Sequence, residues 1–288
     1  NALITDNAGV AVTLRGTNAA VTNTTVANNG GYAIAIPGGA GSATLTNSII
    51  WGNKANFDAL ADTAKITATY TALSTASASN DIPLNKWISF ANGTGNINLF
   101  HRSPNFKKRK GNYELQLISP CLDTGLLSAN SLPIDVYGQS RSYSGKIDMG
   151  AIQKQSGDGI YANSGTNTFS YFRAAGTPTL SNLTGKEVLV KPVSVINLGG
   201  STTVKPKVLF IQDDNTTAPI IYNGSIKADS TLYLRKLTKY RSNGVAYWTF
   251  MGFPFTSARL DSIDGLKIEN SVRADQYTES IRAINGAN

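Results

Sequence analysis

Short runs of alternating apolar and polar residues, separated by glycine and asparagine, fill the first third of the chain. Two kinds of run recur in a fixed order, at 10–14 and 32–36 for the first kind and at 20–23 and 44–47 for the second. Alternation with a period of two is typical of a β-strand that buries one face. The pattern therefore predicts short strands joined by tight corners.

A third kind of run begins and ends with asparagine and shows the repeat most clearly. Its copies are found at 1–7, 23–29 and 47–53, so that they begin 22 and 24 residues apart. Three strands in a repeat of this length are typical of one coil of a parallel β-helix, in which equivalent strands lie about 4.8 Å apart. We therefore expect inward aliphatic side chains such as Leu3, Val26 and Ile50 to stack in columns.

Asparagine occupies matching corners of the repeat. Its side-chain amide can hydrogen-bond to the same residue in the next coil, and it tolerates the left-handed backbone that a corner needs. We expect these residues to form a structural ladder and not a binding site. The ladder consists of Asn1, Asn7, Asn23, Asn29, Asn47 and Asn53.

The second half of the chain also alternates, but the asparagine-bearing repeat stops near residue 155. Its strand-like runs are 186–192, 204–211, 231–237 and 245–251, with turn residues between them. This arrangement favours an antiparallel β-sandwich or a barrel-like sheet. The predicted organisation is a parallel β-helix with its closing segment over 1–153, a linker over 154–160, and a β-sandwich-like domain over 161–288 that is cut short at its C-terminal end.

Composition supports an all-β chain and excludes several kinds of site. Of the 288 residues 41% are hydrophobic and 15% are charged, with 27 glycines and two methionines. A single cysteine, Cys121, and a single histidine exclude an internal disulfide and a Cys/His zinc cluster. We interpret Cys121 as a core residue. No apolar run is long enough to span a membrane, and the net charge of +8 does not by itself indicate a nucleic-acid partner.

A series of motifs follows residue 66, in the order Ser103-Pro-Asn-Phe106, Asn112–Pro120, Cys121-Leu-Asp-Thr-Gly125, Leu132–Gly138 and Gly145–Ile152. This order resembles the closing part of bacterial extracellular right-handed β-helix proteins of the pectate-lyase-like superfamily. The resemblance implies a right-handed helix and a secreted or cell-surface location. It also implies a tight turn at Asp123 and Gly125, and a last strand containing Asp148 and Gly150 that closes the helix.

Residues 186–255 resemble the β-sandwich that precedes the C-terminal sorting domain of bacterial proteins exported by the type IX system. The resemblance implies a Gram-negative source and contact with the secretion machinery. Three Asp-Ser/Thr-apolar triplets match the pattern on which such bacteria attach O-glycans, although such triplets arise often by chance and an ordinary turn explains each one better. The modified residues would be Thr63, Ser230 and Ser262.

Catalytic chemistry is not supported by the residues present. A glycoside hydrolase needs paired carboxylates on one exposed face, and no strand of the first 80 residues carries two acids two positions apart. We expect no catalytic residue, metal or cofactor. The candidates for glycan contact are the aromatic residues Trp51, Tyr70 and Trp87, whose rings could stack on sugars or could seal the core.

Two functions remain open from the sequence. The first is a non-enzymatic secreted or cell-surface β-helix protein in adhesion, display or glycan binding, with a polysaccharide or a host or cell-surface glycan as its partner. The alternative is the C-terminal portion of a polysaccharide lyase or glycoside hydrolase whose active groove lies in upstream coils.

Overall fold

A computed structural model describes most of the chain. The described residues are 1–15, 18–37, 41–58, 65–73, 88–89, 94–99, 103–107, 111–200, 203–213, 219–235, 241–242 and 245–246. Trp87, Thr63 and Ser262 lie outside these ranges. Within them the structure has strands, turns and two 3-10 turns, Leu127–Ala129 and Leu180–Leu183, and it has no helix that could cross a membrane. The prediction of an all-β chain is confirmed.

The first region is a parallel β-solenoid, as the repeat predicts. Its strands are β1 (Ala2–Thr5), β2 (Val12–Thr13), β3 (Ala19–Thr22), β4 (Thr24–Ala27), β5 (Tyr32–Ala35), β6 (Ser42–Thr46), β7 (Ile49–Trp51), β8 (Ala55–Asp58), β9 (Lys65–Thr69), β10 (Ala72–Leu73), β11 (Ile88–Ser89) and β12 (Ile97–Asn98). They stack as three sheets in the orders β1-β4-β7-β10-β12, β3-β6-β9-β11 and β2-β5-β8. All of these pairs are parallel. We name the first of the three the lateral sheet.

Aliphatic side chains stack in columns inside this solenoid. One column runs through Ile4, Val26, Ile50 and Leu73, each of which pairs with the next. The last three are completely buried. The expected alignment of Leu3 with Val26 is wrong, because the first repeat of 22 residues places Leu3 opposite Thr25 and Ile4 opposite Val26.

The corner that precedes the lateral sheet is left-handed in successive coils. The strand register places Asn23, Asn47, Tyr70 and Gly95 above one another, and their φ angles are 51°, 50°, 45° and 70°. Asparagine and glycine adopt this conformation more readily than other residues. Tyr70 therefore occupies a position that asparagine holds in the two preceding coils.

Residues 103–107 and 111–154 add no coil and instead lie across the outer face of the lateral sheet. We name them the covering segment. Gly150 donates its N–H to the carbonyl of Asn47 at 2.7 Å, and Ala151 donates to the Thr25 hydroxyl at 2.9 Å. The predicted last strand at Asp148 and Gly150 is wrong, since neither residue lies in a strand. Gly150 approaches the sheet so closely that a Cβ there would lie 2.6 Å from Thr25 Oγ1.

The strands of the second region also stack mainly in parallel. They are β13 (Gly159–Ala162), β14 (Gly165–Thr166), β15 (Phe169–Tyr171), β16 (Glu187–Val190), β17 (Ser194–Asn197), β18 (Thr203–Val204), β19 (Val208–Asp213), β20 (Ile220–Tyr222), β21 (Ser225–Ile226), β22 (Ser230–Arg235), β23 (Arg241–Ser242) and β24 (Val245–Ala246). Their sheets have the orders β15-β13-β16-β19-β22, β14-β17-β20, β18-β21 and β23-β24. Among the described strands, only β13 with β15 and β23 with β24 pair antiparallel. We name the first of these sheets the facing sheet.

The antiparallel pairing predicted for 187–235 is therefore wrong, and a β-sandwich is not confirmed. Strands β16, β19 and β22 begin at residues 187, 208 and 230 and pair in parallel, so the solenoid architecture returns with a repeat close to that of the first region. A solenoid strand and an antiparallel strand with one buried face share the same period of two, which is why alternation alone could not separate them. Residues 247–288 lie outside the described ranges.

The covering segment also contacts the facing sheet. Its Leu117 packs in one buried cluster with Leu189 and Phe210, which point outward from that sheet, while its Leu122 contacts the clusters on both sides. The segment thus joins the two solenoid regions through apolar surface. The predicted domain boundaries stay a prediction, although Lys154, the first residue of the predicted linker, is buried.

Candidate functional site

Charged side chains are buried where the covering segment meets the facing sheet and the turn after β15. We name this group the buried charge cluster. Its fully or almost fully buried members are Asp148, Lys154, Arg173 and Glu187, and the half-buried Asp123 lies beside them. Charges are seldom taken out of water without partners, so the contacts of each one decide what the cluster can do.

One half of the cluster is centred on Asp148. The Arg173 guanidinium forms ion pairs with Asp148 and Asp123. The two carboxylate oxygens of Asp148 also accept the backbone N–H groups of Asp123 and Lys154, both at 2.8 Å. Burial raises the pKa of Asp148, and the adjacent Arg173 opposes this shift. The carboxylate of Asp148 is thus occupied on every side by this protein's own donors.

The other half is centred on Glu187, the first residue of β16. Its Oε2 accepts from Lys154 Nζ and from the backbone N–H of Leu117, each at 3.1 Å. Lys107 lies 3.7 Å from Glu187 Oε1 and 2.5 Å from Glu114. Burial lowers the pKa of Lys154, and the charge of Glu187 opposes this shift. Lys154 also donates to the carbonyl of Leu115 at 3.1 Å.

These contacts connect the covering segment to the second region. They leave neither Asp148 nor Glu187 free to act as a catalytic group. A general acid or base must reach its substrate with an accessible proton or lone pair, whereas Asp148 and Glu187 are almost wholly inaccessible and are held by cations and backbone amides. In the described part of the chain no three His, Cys, Asp or Glu residues are grouped closely enough to hold a metal ion. The arrangement fits structural locking of the two regions.

A further buried cation, Arg141, fixes the end of the covering segment. Its side chain is completely buried, and its Nη2 donates to the carbonyls of Asp148 and Gly150 at 3.0 and 2.5 Å. Burial lowers the pKa of Arg141 to about 10. Asp135, which is buried nearby, accepts the backbone N–H groups of Tyr137, Gln139 and Gln153. Arg141 and Asp135 therefore supply hydrogen-bond partners to backbone groups of the covering segment that lie outside any strand or helix.

The aromatic glycan candidates lie against the covering segment. Trp51 points outward from the lateral sheet and packs edge-on to Phe106, with ring centroids 6.1 Å apart, and Phe106 in turn packs on Tyr113 at 5.1 Å. Tyr70 covers Gly95, where an added Cβ would lie 2.5 Å from the ring. Both Trp51 and Tyr70 are half-buried and belong to the periphery of one apolar cluster. Their packing against this cluster fits the sealing role, and glycan contact through either ring stays a prediction.

The corner asparagines form two different columns. One column follows the strands of the lateral sheet. In it Asn7 Nδ2 donates to Asn29 Oδ1 at 2.9 Å, and Asn29 Nδ2 donates to Asn53 Oδ1 at 2.8 Å. The other column precedes these strands. In it Asn47 donates to Asn23 at 3.1 Å, while Asn1 donates to the carbonyl of Ile134 at 2.6 Å. This second column is bonded to the covering segment, for example from Asn23 to Asn130 at 2.9 Å.

Cys121 lies in the covering segment and is completely buried. Its backbone N–H donates to the Ser119 hydroxyl, and the carbonyl of Cys121 accepts from Met149 N–H at 3.0 Å. Burial raises the pKa of the thiol to about 12. A thiolate nucleophile needs the opposite shift, so the residue acts as a small apolar side chain in the core. Ser230 is exposed at the start of β22, and its O-glycosylation stays a prediction.

The buried charge cluster was missed by sequence reasoning. A weak signal was present, since Glu187 adjoins the apolar run 188–190 and Lys154 lies two residues after the run 149–152. The partner of each charge is 33 residues away in sequence, which no local pattern reveals. The covered outer face of the lateral sheet had a clearer signal, because Ile49-Ile50-Trp51 is apolar on both faces of its strand.

No protein-family model matches the chain, and no curated protein or solved structure is significantly similar to it.

Proposed function

We propose that this chain is a rigid, non-catalytic part of a secreted or cell-surface protein of a Gram-negative bacterium, acting in adhesion, display or glycan binding. The observation that carries the proposal is the buried charge cluster, which locks the second stack of coils to the covering segment. Bonds to Asn47 and Thr25 hold the same segment to the first stack. A buried connection of this kind between stacked coils suits a rigid scaffold.

The chemistry of the described residues supports a scaffold more than an enzyme. The buried acids of the cluster, Asp148 and Glu187, form ion pairs and accept backbone N–H groups of this chain. In addition, the outer face of the lateral sheet is covered by Trp51, Phe106 and their neighbours. The covered sheet therefore presents no open groove to a polysaccharide.

The location is proposed from the sequence resemblances. The motif order over 66–152 is similar to that of extracellular right-handed β-helix proteins of the pectate-lyase-like superfamily, and 186–255 is similar to a segment of type IX cargo proteins. On this proposal the solenoid is right-handed, the chain passes through the secretion machinery, and exposed Ser230 is available for O-glycosylation.

Two assays run together test the proposal. The purified chain is incubated with a panel of acidic and neutral polysaccharides while unsaturated-uronate absorbance and reducing ends are measured, and the same preparation is applied to a glycan array. We expect no turnover. Turnover abolished by changing an acid of this chain would contradict the proposal and favour the polysaccharide lyase or glycoside hydrolase. Antibody labelling of intact cells checks the location, and signal found only after permeabilisation would contradict it.

A further inference from the structure

A patch of lysines projects from one corner of the second solenoid region, just before the strands of the facing sheet. The patch consists of Lys186, Lys205, Lys207 and Lys227, and we name it the lysine grid. Backbone hydrogen bonds connect the successive coils that carry these lysines. Lys207 N–H donates to the carbonyl of Lys186 at 2.9 Å, and Lys227 N–H donates to the carbonyl of Val204 at 2.9 Å.

The strand register arranges these residues in two columns. Since Val204 pairs with Ile226, Lys205 stacks on Lys227; since Glu187 pairs with Val208, Lys186 stacks on Lys207. Neighbouring coils lie about 4.8 Å apart, and positions two residues apart along a strand are separated by roughly 6.6 Å. The Cα atoms of the four lysines therefore lie on three successive coils, close to one another.

Three of the four ammonium groups are available. Lys205, Lys207 and Lys227 are exposed, while the intervening Val204 and Pro206 point inward and are buried. None of the three forms a salt bridge with a residue in the described ranges. Lys186 is half-buried and donates to the carbonyl of Gly157 at 3.1 Å.

Few acids compensate this charge. Asp229 stacks next to Lys207 at the edge of the grid, and Asp158 stacks next to Lys186 on the opposite side. The adjacent Glu187 is buried and paired with Lys154. Like charges held at such spacing repel each other, and a bound anion relieves that repulsion.

We propose that the lysine grid binds a linear polysaccharide that carries sulfate esters. This inference rests on the proposed function and deepens it by naming the class of ligand. A lysine ammonium group is a point charge with three donors and lacks the planar fork with which arginine pairs bidentately to carboxylates and phosphates. The three free oxygens of a sulfate ester offer acceptors to such a donor from several directions. Repetition at the coil spacing suits a polymer with repeated charges. The grid contains no aromatic side chain on which a nucleic-acid base could stack, so a polysaccharide fits it better than single-stranded nucleic acid.

Binding to immobilised heparin, polygalacturonate, single-stranded DNA and neutral dextran tests the inference at physiological salt. The variant is Lys205→Gln/Lys207→Gln/Lys227→Gln. Its control, Arg15→Gln/Lys54→Gln/Lys65→Gln, removes the same charge from three exposed positions of the first region. We expect the wild type to bind heparin most tightly, with an affinity that falls as salt is raised, and the grid variant to bind at least tenfold more weakly. The control variant should change by less than twofold.

Several results would overturn the inference. These are an absence of heparin binding by the wild type, an equal loss in the control variant, or binding of polygalacturonate or DNA as tight as that of heparin. All substituted residues are exposed, and a thermal melt verifies that each variant is folded. The turnover and cell-labelling assays are independent of this result, so failure of the grid leaves a non-catalytic surface scaffold standing, and turnover would refute the scaffold whatever the grid binds.

Discussion

At the scale of single residues, asparagine performs several structural tasks in one position. Asn47 adopts a left-handed backbone with φ of 50°, is completely buried, and bonds both to Asn23 of the preceding coil and to the covering segment. Its Oδ1 accepts Leu126 N–H at 2.6 Å, and its Nδ2 donates to the Leu126 carbonyl at 2.9 Å. Few other side chains could meet the backbone and the hydrogen-bond requirements together.

Replacing this residue therefore carries a large cost. We expect Asn47→Ala to lower the free energy of unfolding by about 3 kcal/mol, because it strains the corner and leaves buried backbone groups without partners. Asn47→Gly relieves the backbone strain but does not restore the lost hydrogen bonds, so its free energy of unfolding should lie between those of the wild type and Asn47→Ala. Urea unfolding measures both, and Asn7→Ala, at an exposed corner, serves as control with a loss below about 1 kcal/mol. Equal losses at the two positions would contradict the role of Asn47.

The burial of Cys121 predicts a specific dependence of stability on pH. The pKa of the thiol is about 12 in the folded chain against 9.0 ordinarily, so the unfolded chain releases the proton first. Stability attributable to the thiol is then complete below pH 9 and is lost as pH rises towards 12.

Comparison with Cys121→Ala isolates this effect. We expect the wild type to lose about 1.4 kcal/mol relative to the variant between pH 7 and pH 10. Denaturant unfolding at the two pH values measures the difference, and native Cys121 should not react with a thiol reagent at pH 8. A difference that does not change with pH, or rapid labelling of the native protein, would contradict the burial of the thiol.

The residue scale also shows what the sequence could not predict. The corner asparagines were foreseeable because their spacing and their backbone preference are local properties. The burial of Asp148 and Lys154 depends on their partners Arg173 and Glu187, which are distant in sequence and meet them only in the tertiary fold. Local composition therefore contained no decisive signal.

At the scale of elements, the lateral sheet buries both of its faces. Its inner face supplies the solenoid core through Val26 and Ile50, and its outer face packs Ala27 and Ile49 against the covering segment. Strands buried on both faces lose the alternation of a half-exposed strand. The consecutive apolar residues of β7 follow from this arrangement.

Trp51 tests the role of the covering segment. We expect Trp51→Ala to lower the free energy of unfolding by about 2–3 kcal/mol, because the ring packs on Phe106 at the edge of this interface. Binding to a glycan array should be unchanged in the folded variant. Tyr137→Ala, at a ring that is 53% exposed, is the control with a change within about 0.5 kcal/mol. Lost glycan binding without lost stability would restore the sugar-stacking interpretation of Trp51.

Removing the charges of Lys154 and Glu187 tests the contact between the covering segment and the facing sheet. We expect Lys154→Met to lower the free energy of unfolding by about 3–5 kcal/mol, because it leaves Glu187 buried without its principal cation. The double variant Lys154→Met/Glu187→Gln should recover most of this loss, since the glutamine carbonyl still accepts Leu117 N–H. Denaturant unfolding of the two variants gives the comparison. A double variant as unstable as the single one would show that the uncompensated charge is not the cause.

At the scale of the whole molecule, two stacks of parallel coils share one covering segment, and a solenoid follows where a sandwich was expected. The first stack was predictable, because asparagine corners marked its repeat. The second lacks that marking over most of its length, although Asn167, Asn197 and Asn223 form a short column of their own. Its strands begin at 187, 208 and 230, and this period carried more information than the alternation within each strand.

Disulfide trapping of neighbouring coils tests the parallel stacking of the second region most directly. Thr203 pairs with Ser225 in adjacent parallel strands, and both are exposed. In a Cys121→Ala background, Thr203→Cys/Ser225→Cys should form a disulfide under mild oxidation, since paired strands bring the Cα atoms within bridging range. Thr203→Cys/Lys227→Cys, two residues out of register, should stay largely reduced. Efficient bridging of the second pair, or none in the first, would contradict the solenoid and the rigid scaffold built on it.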